Sequence, residues 1–80
     1  MRATTETIEI RGKEVKTSKV GKDYIIIRAE DDTGKITELC DHDMTRLDEY
    51  RKGRTCRLIL DLAISKYTNI SVVGIVDDAD

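Results

Sequence analysis

Basic residues recur at every third position through Lys13, Lys16, Lys19 and Lys22, with Arg11 just before them. Five cations thus fall within twelve residues, opposed only by Glu14. Flexible cations at this density can line a groove and hold phosphate oxygens, with affinity driven by counterion release. The same lysines can also be a solvated strand face that discourages edge pairing. Tyr24 starts an apolar run beside Lys22, in phase with Arg28, and Tyr67 stands beside Lys66. A base stacked on an aromatic ring gains about 1–3 kcal/mol with little sequence preference. Tyr24 can alternatively pack at the end of a core, and Tyr67 can pack within its turn. Arg51, Lys52, Arg54 and Arg57 form a second basic cluster, of which Arg57 lies on an outward strand phase.

Other residues able to do chemistry do not assemble into a signature. Cys40 and His42 alternate in Cys40-Asp41-His42-Asp43, but no second pair completes four-fold metal coordination. No nucleophile motif surrounds Cys40 or Cys56. Asp31 and Asp32 are turn residues at an exposed tip, with no pocket for acid–base work. The expectation is a non-enzymatic protein without metal or cofactor.

Eighty residues make one domain with a thin stability margin, because a chain this short buries only about 60–65% of its unfolded surface. There is no Trp, Phe or Pro and there are three Tyr, so the core must be aliphatic. The net charge of −2 argues weakly against a generic nucleic-acid binder, but its distribution is uneven. Residues 11–28 carry six bases and two acids, residues 29–50 two bases and eight acids, and residues 51–67 five bases and one acid. No apolar run approaches the ~20 residues of a membrane span. The N-terminus lacks the apolar segment of a secretion signal, and two cysteines are too few for a disulfide scaffold. A cytoplasmic protein with reduced thiols and no membrane partner is expected.

The elements that must position these residues are mostly strands. Cys56, Leu58, Leu60, Leu62 and Ile64 alternate with mostly polar or small residues, a period of two with one face in a core. Lys66-Tyr67-Thr68-Asn69 makes a turn, and Ile70–Val76 folds back as a hairpin partner. Thr5–Val20 reads as a bent first strand whose inward phase changes near Gly12, where a bulge would absorb one residue. Tyr24–Glu30 is the second strand, its inward face left open by Ile25, Ile26 and Ile27 in succession. Asp31-Asp32-Thr33-Gly34 is a hairpin turn, with Gly34 available for a positive φ, before a short third strand, Lys35–Cys40. Asp41 or Asp43 then caps a short helix with an apolar stripe of Met44, Leu47 and Tyr50, ended by Gly53. An acidic end, 77–80, closes the chain.

The order strand, strand, strand, helix, strand, strand resembles the oligonucleotide/oligosaccharide-binding (OB) fold, a five-stranded Greek-key barrel with the helix between strands three and four. The resemblance covers roughly residues 6–76 and is one of topology and spacing. Within that fold the chain looks most like small single-stranded-DNA-binding proteins of the phage and plasmid kind, which also have a basic loop after strand one and an acidic end. It departs from the bacterial family in having few aromatics and no long tail with an apolar tip. The resemblance implies a role around DNA replication and a partner in single-stranded nucleic acid, DNA rather than RNA. Phosphates would be held by Arg11, Lys13, Lys16, Lys19, Lys22, Arg57 and Lys66, bases would stack on Tyr24 and Tyr67, and Arg28 would serve either purpose. The rival reading is a protein-interaction or self-assembling module, using the alternating charge blocks and an apolar centre at Ile26 or Ile59. A homo-oligomer is compatible with both.

Overall fold

The computed structural model describes residues 1–66 and 68–77. The expectations for Tyr67 and for the end of the acidic tail, 78–80, lie outside those residues. Six strands form, β1 (Arg2–Thr4), β2 (Ile8–Thr17), β3 (Asp23–Glu30), β4 (Ile36–Asp41), β5 (Thr55–Ile64) and β6 (Thr68–Asp77), with a 3₁₀ helix, Met44–Glu49, between β4 and β5. Their order is β1-β5-β2-β3-β4-β6, and β6 also pairs with β5. Strands β2 to β6 therefore close into a five-stranded barrel. All pairings are antiparallel except β4 with β6, which touch in parallel through Cys40 and Ser71. This is the strand order of the OB fold.

Alternation builds the core. Ile8 and Ile10 of β2, Ile25, Ile27 and Ala29 of β3, Cys56 and Leu58 of β5 and Val72 of β6 are buried together with Tyr50. Leu39, Met44, Leu47, Leu60 and Ile75 pack against them. The open question on the second strand is thereby answered: Ile25 and Ile27 point inward, while Tyr24, Ile26 and Arg28 share the outer face. The register of β2 slips between Ile10 and Gly12, leaving Arg11 as the extra residue of a bulge beside the expected Gly12.

The structure departs from the sequence reading in three places. First, β1 is an additional strand. It covers the β5 edge at Ile59–Asp61, which β2 leaves free by pairing with β5 only at Ile8 and Glu9. Counting it, the helix lies between strands four and five of the chain, though still between the third and fourth strands of the barrel. Second, the inward phase of β5 ends before Ile64, which is 71% exposed because the β5–β6 hairpin runs on beyond the barrel. Third, the helix is 3₁₀ over Met44–Glu49 rather than an α-helix reaching Gly53. A 3₁₀ turn takes three residues, so side chains at i, i+3 and i+6 eclipse. Met44, Leu47 and Tyr50 hold that spacing and all reach the core. Asp43 caps the helix by accepting from Thr45 N–H, at 3.0 Å, and Gly34 and Gly53 take the positive φ their turns require.

Asp41, the other expected cap, is instead fully buried. Its Oδ2 accepts from the Tyr50 hydroxyl at 2.5 Å and from Arg46 Nε at 2.6 Å. Its Oδ1 accepts from Arg46 Nη2 and from the Asp43 N–H, each at 2.9 Å. The end of β4, the helix and the core are thus tied at one carboxylate. Burial, reinforced by the hydrogen bond to Asp41, pushes the Tyr50 phenol well above its ordinary pKa. A group whose folded pKa is raised contributes stability in full below its unfolded pKa, about 10 for Tyr, and loses it as pH rises further. Tyr50→Phe is expected to cost about 2 kcal/mol in urea unfolding, a hydrogen bond to a charged group, and to lose less stability than the parent between pH 9 and 11. Equal alkaline losses would show that Tyr50 does not govern that limb.

Candidate nucleic-acid interface

Residues directly opposed on neighbouring antiparallel strands share a face. The register of β2, β3 and β4 therefore writes out the outer face of the barrel. Lys16 stands opposite Tyr24, Glu14 opposite Ile26, and Gly12 opposite Arg28. On the other side Ile26 stands opposite Cys40 and Arg28 opposite Glu38. In OB folds the groove for ligands is formed by these two central strands, flanked by the loops of the two hairpins.

Two contacts give this face its shape. The rings of Tyr24 and His42 lie 5.7 Å apart between centroids and are tilted by 39°, a spacing typical of interacting aromatic pairs. At the other end Arg28 lies across the backbone of Gly12: a Cβ built on Gly12 would stand 2.7 Å from Arg28 Nη2. A residue without a side chain is what lets the guanidinium reach across β2. The charge of the face is balanced rather than basic, since Glu14, Glu30 and Glu38 accompany Lys16 and Arg28.

The structure disperses the lysine ladder. A spacing of three on a strand of period two alternates faces, so Lys13 and Lys16 point to opposite sides. Lys13 Nζ donates to the Leu47 carbonyl of the 3₁₀ helix at 2.7 Å. Arg11, in the bulge, pairs with Glu9 at 3.0 Å and with Glu30 at 3.4 Å. Lys19 and Lys22 are exposed in the β2–β3 loop, where the Ser18 N–H donates to the Lys22 carbonyl. Only Lys16 stands on the outer face beside Tyr24. Arg57 is exposed on β5, which is two strands away from both β3 and β4 and so on the opposite wall. Lys66 is exposed at the tip of the β5–β6 hairpin. Because β6 runs antiparallel to β3, that tip and the β2–β3 loop stand at opposite ends of the β3–β4 face, and they flank it rather than meet. In the second basic cluster, Arg54 pairs with Asp77 and donates to the Glu49 carbonyl.

His42 is the residue of this face that sequence reasoning missed. It draws attention in the sequence only as a metal ligand, and its partnership with Tyr24 depends on the β3–β4 register. Its Nε2 lies 3.7 Å from Cys40 Sγ. Burial, and then the charge of Asp41, push the Cys40 thiol up, so it stays protonated at neutral pH. Among the described residues no three His, Cys, Asp or Glu side chains are grouped to hold a metal ion. Next to His42 a surface cleft of about 480 Å³ opens between the start of the 3₁₀ helix and β6, with Met44, Arg46, Ser71 and Val73 among its walls. Among the described residues no helix is long and apolar enough to cross a membrane.

Comparison with family models, with curated proteins and with solved structures finds no match to this chain.

The Arg28–Gly12 arrangement is open to a direct test. The clash that an alanine at Gly12 would create is with the far end of a flexible side chain, which can move aside cheaply. Gly12→Ala is expected to shift the Arg28 Nε–H resonance while changing unfolding free energy by no more than about 0.5 kcal/mol. An unmoved resonance would show that Arg28 does not rest on Gly12.

Proposed function

We propose that this chain is a non-enzymatic protein that binds single-stranded nucleic acid, DNA in preference to RNA, along the outer face of β3 and β4. The observation that carries the reading is the placement of Tyr24, Lys16 and Arg28 on one face of a barrel with OB strand order. Tyr24 stacks a base, Lys16 beside it takes a phosphate, and Arg28 takes either a base or a phosphate. Lys19, Lys22 and Lys66 approach the ends of the strand from the two flanking hairpins. With few aromatics and a face of balanced charge, affinity is modest and sensitive to salt, with a slope of about 0.7 for each phosphate held. A barrel of this size covers a handful of nucleotides.

Fluorescence anisotropy with labelled oligo-dT tests the reading. Binding at low salt by tens of micromolar protein is expected, and none at that concentration sinks it. Tyr24→Ala is expected to weaken binding about tenfold, the lower to middle part of what one stacked base contributes. Lys16→Glu is expected to reduce the slope of log K against log salt by about 0.7 or more. An unchanged slope would clear Lys16 of phosphate contact.

A second reading, self-association, is favoured by the β5–β6 hairpin. It carries Ile64 at 71% and Ile70 at 42% exposure, whereas Ile26 and Ile59 are half-buried. Size that rises with concentration in light scattering, and falls back in Ile64→Ser, would support it. A constant monomer would exclude it.

A further inference from the structure

We propose that His42 is a ligand-contacting residue of the β3–β4 face, and that its protonation strengthens the binding of the phosphodiester backbone. The inference rests on the nucleic-acid reading and adds to it a contact residue and a pH dependence. His42 is exposed and lies at the mouth of the cleft, with its ring against Tyr24. A strand stacked on Tyr24 therefore passes the imidazole. The groups that face it from the surrounding elements are few. Tyr24 is on β3, with Lys16 on β2 next beyond it. Cys40 stands on β4, its Sγ 3.7 Å from Nε2. Asp41 and Asp43 flank it in the chain, but both already engage Arg46, at 2.6 Å and 3.3 Å. Ser71 stands across the cleft on β6.

Two consequences follow from these surroundings. Both neighbouring carboxylates already pair with Arg46, and the exposed imidazole is open to a phosphate. The face has three acids to two bases, so one added cation cancels its excess of negative charge. Histidine is the side chain whose ordinary pKa, about 6.5, puts that change near neutral pH.

The chain contains one histidine, which makes the test specific. Of the side-chain types, only histidine ordinarily changes its charge between pH 5.8 and 7.2. Thymine does not titrate there. Anisotropy titrations of labelled oligo-dT at these two pH values are expected to show binding about two- to threefold tighter at pH 5.8, the part of one exposed ionic contact that the change in protonation between them delivers. The salt slope should be steeper there by about 0.7, one phosphate of a single strand. His42→Gln should bind equally at both pH values, and His42→Lys should bind at both as tightly as the parent does at pH 5.8. Parent binding that does not change with pH, or a pH dependence that survives in His42→Gln, overturns the inference and leaves the nucleic-acid reading standing. No binding by the parent at either pH overturns both.

Discussion

The fold depends on how one buried carboxylate is satisfied. Asp41 ends β4 inside the barrel with no exposure to solvent, and four donors converge on it from Arg46, Tyr50 and the Asp43 backbone. Removing one partner of such a buried pair costs about 3–5 kcal/mol, because the other charge is left stranded. The whole chain, at roughly 0.05–0.15 kcal/mol per residue, has about 4–12 kcal/mol in all, so this is a large share of it. The network also fixes where the helix can lie. Arg46 and Tyr50 must both reach back to Asp41, and the three-residue turn that aligns Met44, Leu47 and Tyr50 delivers them. Among the described residues no buried side-chain nitrogen or oxygen is left without a partner, so the polar centre adds order to the core rather than a defect.

That anchor sets the geometry of the outer face. Holding the end of β4 in place fixes the residue after it, His42, against Tyr24 on β3. At the other end of the face the bulge at Arg11 lets Gly12 come into line with Arg28. One end of the face is therefore aromatic and the other carries a guanidinium, about two cross-strand rows apart. Acids and bases are mixed across the face, so the binding proposed there relies on stacking and a few cations rather than on bulk charge.

Much of the barrel is legible in the sequence, because strands with one buried face announce themselves by alternation. Cys56, Leu58 and Leu60 are read correctly for that reason, and Ile64 is misread because alternation says nothing about where a barrel ends. The three consecutive isoleucines of β3 satisfy both phases, and only pairing with β2 and β4 decides between them. Asp41 reads as a helix cap because a carboxylate beside a helix start usually is one, and its burial needs Arg46 and Tyr50 to be seen together. The spacing of Met44, Leu47 and Tyr50 already fits a 3₁₀ helix better than an α-helix. The lysine ladder is over-read as a unit: its spacing of three divides it between two strand faces and a loop. The Tyr24–His42 pair is a matter of register between strands, which no local pattern carries.

The central claim is that the outer face of β3 and β4 is the surface that meets single-stranded nucleic acid. Backbone amide shifts recorded while unlabelled oligo-dT is titrated into ¹⁵N-labelled protein test it most directly. The account predicts that the amides of Lys16, Tyr24, Ile26, Arg28, Cys40 and His42 move together and saturate together, while Arg57 and its β5 neighbours stay still. Shifts concentrated on the β5 wall, or none at saturating oligonucleotide, would contradict it.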